Sequence, residues 1–382
     1  MSAEGDDQVP LLDRVENPQH ETIPKDAARD LALLENDIIN AEVQLLRQSI
    51  PVLRPLYARR SALVSSKLKD SDFWPRVFSN TPQDVDEYIR PSDAEILATT
   101  LKNVELERFE VNEKGEGEPR SVRLVFEFEN DDENRWFTDT KLVKDFSWRK
   151  EITRTSTGKR RVWEGLVSDP VRIHWKKGMD PTHGLLDAAC DLADAEKALL
   201  KKESKETLTD EERMNLPEYE KLVEKMASIE AQVENEGEGD DEEDDDVTPA
   251  GVSFFAWFGY RGAAVTAKQS EIAMKDDAKK WEKIAKGEKV DEDEEEDNDD
   301  DDEDALSGAE IFPDGESVTI ALSEDVWPNA LKFYVQSYGV ADEFDDLDLE
   351  NLMGGSDEDD DEDDEEKEPE QTPERPRKKV KT

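Results

Sequence analysis

The residues that could do chemistry are few and scattered. His20, His174 and His183 are the only histidines, and none stands at metal-ligand spacing from a cysteine or a second histidine. Cys190 is the single cysteine, so an intramolecular disulfide and a Cys-rich metal site are both closed to the chain. No G-x-G-x-x-G, Walker A or G-x-S-x-G pattern occurs, which removes the usual phosphate cradles and the strained nucleophile turn. Carboxylates are so abundant that no pair can be singled out for acid–base work. The acidic runs also lack the glycine and spaced glutamate of a calcium loop. We therefore expect no enzyme activity, no cofactor and no metal site.

The chemistry left is electrostatic. Among 382 residues, 100 acidic side chains face 50 basic ones, for a net charge of −50. Three runs are densest: 234–246 with 10 carboxylates in 13 positions, 291–304 with 13 in 14, and 357–368 with 11 in 12. Such runs have nothing to bury against an ordering cost of about 1–2 kcal/mol per residue, so they are expected to be disordered. They could serve only as solubilising tails. They could equally steer a basic partner to fast encounter, at about 10⁸–10⁹ M⁻¹s⁻¹ at low salt. Each exposed ion pair would then hold that partner by only about 0–1 kcal/mol, which favours release. The same charge repels polyphosphate, so direct high-affinity DNA binding is not expected. At the end of the chain the sign reverses: Arg375, Arg377, Lys378, Lys379 and Lys381 read as a basic nuclear-import signal, or as a patch that folds back on the neighbouring acids. No apolar run suits a signal peptide or a membrane span, so the chain reads as soluble and intracellular.

The elements that would position this charge are visible in the pattern. Hydrophobic content is 35%, below the roughly 45–50% of an average globular chain, yet eight Trp and 13 Phe require a core somewhere. From Ala27 to about Lys69 the spacing is helical, with Pro24 and Asp26 as start signals. Leu31, Leu34, Ile38, Ala41, Leu45, Val52, Leu56 and Leu63 follow a narrow stripe like a coiled-coil seam. One helix cannot cover that stripe, so a second copy of the chain is its expected cover, and Leu31, Leu34, Ile38, Leu45, Val52 and Leu56 are the expected dimer contacts. Pro51 and Pro55 are expected to kink or interrupt the helix. Phe73-Trp74-Pro75 with Val77 and Phe78 reads as an aromatic helical turn, and Ser92–Thr100 as a capped helix. Period-two alternation predicts antiparallel strands at Leu101–Val111, Ser121–Glu129, Arg135–Trp148 and Val171–Trp175. Lys159-Arg160-Arg161 reads as a turn or strand end. Helical spacing returns over 184–233, divided at Pro217, then comes the aromatic segment Phe254–Phe258, then an amphipathic helix over Asp325–Ser337. The order is α+β: a disordered segment 1–26, a long dimerisation helix 27–69, an antiparallel sheet with packing helices over 70–340, and an acidic disordered tail 341–382.

Several of these stretches, in order, resemble the nucleosome assembly protein family, and within it the SET (template-activating factor I) branch. They are Arg54-Pro55-Leu56-Tyr57-Ala58-Arg59-Arg60-Ser61-Ala62-Leu63, then Asp72-Phe73-Trp74-Pro75 with Val77-Phe78-Ser79-Asn80-Thr81-Pro82. VRLVFEFENDDENRWFTDTKLVKDF, IHWKKGMDPT at Ile173–Thr182, SFFAWF at Ser253–Phe258 and SEDVWPNALKFYV at Ser323–Val335 complete the series. The resemblance implies a homodimer on paired long helices. It also implies an "earmuff" domain of sheet and helices on each protomer, whose acidic underside receives core histones. It makes Glu324 and Asp325 candidate histone contacts, to which the last acidic run adds Asp357, Glu358, Asp359, Asp360 and Asp361. The implied function is an ATP-independent, nuclear histone chaperone, with shuttling to the cytoplasm left open. Two readings stay open beside it: an adaptor or inhibitor scaffold for a histone acetyltransferase, another chromatin enzyme or a phosphatase, and a general acidic carrier of basic proteins. The sequence departs from the pattern by two insertions, 183–250 and 262–312.

Overall fold

The structure, a computed structural model, describes residues 24–154, 160–236, 253–288 and 305–339. The acidic runs at 291–304 and 357–368, the basic end, the 1–23 segment and most of 234–246 lie outside the described residues; the first three residues of that run end a helix.

Helix α1 spans Lys25–Lys67 and runs unbroken through Pro51 and Pro55, so of the expected kink or interruption the interruption does not occur. Both prolines are exposed, on the side of the helix away from the domain, so water is at hand where their missing N–H groups leave carbonyls unpaired. Three short helices follow, α2 Phe73–Phe78, α3 Gln83–Asp86 and α4 Pro91–Thr100. They lead into a four-stranded antiparallel sheet in sequence order: β1 Leu101–Glu107, β2 Val122–Phe128, β3 Lys141–Arg154 and β4 Arg160–Ser168. Alternation decides its faces. Leu124, Phe126 and Phe128 of β2 and Leu142, Lys144, Phe146 and Trp148 of β3 turn inward and are buried.

Two strand expectations need correction. Residues 135–140 are not strand, because Asn134 Oδ1 accepts the N–H groups of Trp136 and Phe137 and turns the chain there. Val171–Trp175 contributes only an isolated bridge, Phe137 with Trp175. The fourth strand is instead RRVWEGLVS, where Glu164-Gly165 breaks the alternation that would have marked it. Arg160 is its first residue.

β3 outruns β2, and the free edge this leaves is covered by side chains. Trp148 N donates to Ser121 Oγ, and Lys150 N to Ser270 Oγ, each at 2.9 Å. Ser270 belongs to α8, Ala267–Ala285, a helix inside the 262–312 insertion that the periodicity did not reveal. Asp277 of α8 pairs with Lys150 at 2.7 Å and Arg160 at 2.8 Å. The other insertion folds as α5 Leu185–Glu203, α6 Asp210–Met214 and α7 Pro217–Glu236, with Pro217 opening the last helix.

The core centres on two turns of 3₁₀ helix, Phe254–Gly259, whose six residues are all buried. Trp257 lies 5.1 Å from Phe146 and 5.9 Å from Phe126 between ring centroids. Its Nε1 donates to Thr319 Oγ1 of α9, Gly315–Ile320. Gly315 has to be glycine, since a Cβ there would lie 2.3 Å from the Tyr260 ring. Charged side chains fasten the backbone around this helix. Lys144 Nζ donates to the carbonyls of Asp169, Phe258 and Tyr260 at 2.9–3.1 Å, and burial pushes its ammonium down to about 7. Asp93 accepts from Ser253 Oγ, Phe254 N and Arg90 N. Glu310 accepts from the N–H groups of Arg261, Gly262 and Phe312. Burial raises both carboxyls against those bonds. Glu310, Ile311 and Phe312 are placed among the core residues, so the end of the second insertion is structural.

Asp93→Ala should lower stability by about 2–3 kcal/mol in urea unfolding, because it leaves buried donors without an acceptor. A second expectation concerns Glu196, which bridges Arg213 and Arg261 at 2.8 and 2.5 Å. Burial alone would raise its carboxyl, but the two guanidinium groups hold it below the ordinary 4.5. A folded value below the unfolded one gives stability that is present above about 4.5 and lost as pH falls through the folded value. Unfolding midpoints of Glu196→Gln should thus be lower than wild type at pH 7 and converge on it in acid.

Candidate interaction surfaces

Helix α1 is joined to the domain near its C-terminal end by a buried cation. Arg60 Nη1 donates to Trp327 O at 2.5 Å, and the guanidinium lies 4.1 Å from the Trp327 ring and 5.0 Å from the Tyr57 ring. Trp74 stands 5.7 Å away on a third side. Burial lowers the Arg60 pKa to about 10, so it stays charged at neutral pH. Tyr57 and Trp327 also meet directly, centroids 4.3 Å apart. Nearer the middle of α1, Arg47 Nε donates to Gly117 O in the β1–β2 loop at 2.9 Å.

The six expected dimer contacts, Leu31, Leu34, Ile38, Leu45, Val52 and Leu56, do share one face, and in the protomer they are 50–66% exposed. A second apolar stripe was missed. Ile39, Val43, Leu46, Ile50, Leu53 and Tyr57 recur at steps of 4, 3, 4, 3 and 4, roughly 120° round the helix from the first. The interval was readable in the sequence. Two interleaved stripes look like one broad apolar face, which hid it. The second stripe borders a groove of about 800 Å³, whose opposite wall includes Leu106, Trp327 and Pro328.

Glu324 and Asp325 sit on a π-helical turn, Ala321–Val326, and not at the start of one amphipathic helix as expected. Trp327 N donates to Leu322 O, five residues back, and Pro328 has no N–H with which to continue the ladder. Helix resumes as α10, Ala330–Gln336. Both carboxylates are exposed. Glu324 lies 3.6 Å from Arg108 and so lines the groove, whereas Asp325 accepts from Asn329 Nδ2 at 2.8 Å. Asp357, Glu358, Asp359, Asp360 and Asp361, with Arg375, Arg377, Lys378, Lys379 and Lys381, lie outside the described residues.

A second cavity, about 550 Å³, opens between β3, β4, α5 and residues 261–267. The Glu196–Arg213–Arg261 bridge forms part of its wall. His174 pairs with Asp139 at 2.9 Å on the surface, and Cys190 is buried with its thiol pushed up to about 11 by burial. Among the described residues no three potential ligands gather as a metal site, and no helix is long and apolar enough to cross a membrane.

A Schizosaccharomyces pombe (strain 972) protein, provisionally named a nucleosome assembly protein, is 31% identical over 154 residues, or 40% of this chain and 58% of the relative's own length. Crystal structures of Ccp1 and of a Ccp1 mutant are each 22% identical, cover 82% of this chain and 96% and 97% of theirs, and superpose with a TM-score of 0.44. The profile of the family described as nucleosome assembly protein matches residues 35–337, from within α1 to the end of α10. That match runs over most of the sequence and takes in the second stripe of α1, the first stripe from Ile38 onward, the sheet and the π-helical turn: the chain belongs to the nucleosome assembly protein family.

Proposed function

We propose that this protein is a non-enzymatic, ATP-independent histone chaperone of the SET type that works as a homodimer in the nucleus. The observation that carries the reading is a family match over residues 35–337 on a chain of net charge −50. Such a surface attracts polycationic proteins and repels DNA, so the cargo is core histones and the competitor for that cargo is DNA. Glu324 and Asp325 are the contacts on the folded domain, and the run beginning Asp357-Glu358-Asp359-Asp360-Asp361 captures the cargo by charge. Arg375, Arg377, Lys378, Lys379 and Lys381 direct import. The name of the S. pombe relative supports nucleosome assembly as the process served.

The dimer is supported by the bare stripe on α1. Apolar side chains exposed to this degree along some 30 residues need a cover of their own kind.

Leu34→Asp combined with Ile38→Asp should convert the dimer to monomer in sedimentation velocity, because the charges would be buried without partners. A double variant that still sediments as a dimer refutes the seam. For function, the protein is mixed with core histones and DNA near physiological salt, where charge screening sets in at about 8 Å. Soluble complexes should replace histone–DNA aggregates as the protein is added in excess. Unchanged aggregates would overturn the chaperone reading.

A further inference from the structure

The second stripe of α1 is left over when the dimer is accounted for. A partner helix on Leu31, Leu34, Ile38, Leu45, Val52 and Leu56 cannot also cover side chains roughly 120° away on the same helix. The domain packs closely on the far end of that stripe, where Tyr57 meets Trp327 and Arg60 is buried, and leaves Val43, Leu46, Ile50 and Leu53 half-buried and Ile39 exposed. From Ile39 to Leu53, about 21 Å at 1.5 Å per residue, the stripe overhangs the groove. The groove is preformed, since Arg60 and Arg47 tie α1 to the domain.

Charge on the groove's lining is lopsided. Glu42, Glu105, Glu107 and Glu324 are exposed there against one exposed cation, Arg54; Glu324 already faces Arg108 and Glu107 faces Arg123, which leaves Glu42 and Glu105 to meet a ligand's charge. Arg108 and Arg120 are half-buried and already engaged, Arg108 with Glu324 at 3.6 Å and Arg120 with Glu118 at 2.7 Å. An α-helix is about 10 Å across, so about 800 Å³ receives one face of side chains and not a whole helix. An apolar floor, carboxylates at the rim, a length of several helical turns and a volume for one helical face specify one kind of occupant.

We propose that this groove binds a cationic amphipathic helix, apolar side chains inward and lysine or arginine against Glu42 and Glu105. On our reading of the function, which supplies the dimer seam and names the donor, the histone cargo provides that helix. Recognition would then have two parts: acidic arms gather the cargo by charge, and the groove reads a helix of its folded part.

The test uses the full chain and the variant Val43→Trp, which places an indole in the groove and leaves the first stripe untouched. Four probes are titrated: core histone pairs trimmed of their tails, an isolated histone tail peptide, a peptide of about 18 residues made of Leu and Lys at 3-4 spacing, and its scrambled isomer. Val43→Trp should weaken the trimmed histones and the amphipathic peptide by about tenfold, with the tail peptide changed less than about twofold. Its sedimentation should remain that of wild type. Glu42→Gln with Glu105→Gln, a surface pair that decides the matter if Val43→Trp fails to fold, should weaken the same two probes by about threefold. Unaltered affinity in these variants overturns the inference, and so does a scrambled peptide that binds as tightly as its patterned isomer. A Val43→Trp protein altered only in oligomeric state would overturn it too, by assigning the groove to a second copy. Wild-type protein that binds the patterned peptide but no histones would uphold the groove and sink the chaperone reading, so the two fail separately.

Discussion

The placement of every candidate surface on α1 depends on one buried cation. Arg60 carries the helix to the domain through a carbonyl and three aromatic rings. A helix of 43 residues is about 65 Å long, far more than a domain of this size can cover along one edge. Arg47 ties it a second time near the middle and α8 lies against it as well, yet the first stripe stays bare along its whole length. The apolar residues along that length must then meet something outside the domain, and the angle at which the helix leaves sets which residues those are. An arginine suits the task better than an aliphatic residue would. It stacks on aromatic faces and still donates to a backbone carbonyl, so it fixes direction as well as distance.

A second regularity is the division of charge. Inside the domain, cations and carboxylates are consumed as fasteners. Lys144 holds three carbonyls, Asp93 and Glu310 hold N–H groups, and Glu196 joins two guanidinium groups. Several of the cations near the surface are spoken for by neighbouring acids, as Arg172 is by Asp187 and Asp191. The fold thus neutralises much of its positive charge internally and leaves carboxylate at the boundary. The acidic balance of the sequence becomes a property of the described surface.

What could be read in the sequence follows the same physics. The first stripe of α1 was legible because its apolar positions stand out among polar ones. β1, β2 and the core half of β3 were legible because one face is buried and the other wet, which is what alternation encodes. β4 was hidden by Glu164-Gly165, and α8 by the fact that it buries only Ser270 and Ala273 and pays for its place with hydrogen bonds and an ion pair. Periodicity detects apolar burial, so an element docked through polar contacts has no signature. Glu324 and Asp325 were found through a motif, not a pattern, and their actual setting could not be foreseen, since i to i+5 bonding leaves no mark on a 3.6-residue period.

That π-helical turn links the domain to α1. Pro328 has no N–H, so the helical ladder cannot pass through it, and Trp327 N reaches back to Leu322 O instead. The offset brings three things together. Trp327 Nε1 donates to Val104 O at the edge of β1, its carbonyl accepts from Arg60, and its ring lies against Tyr57. Glu324, three residues earlier, faces Arg108. Regular α-helix through this point would rotate the indole and the carboxylate by a large fraction of a turn. The sheet edge, the long helix and the acidic rim would then lose their common neighbour. The W-P pair therefore sets the geometry in which the long helix meets the carboxylates, and it does so by withholding one hydrogen bond.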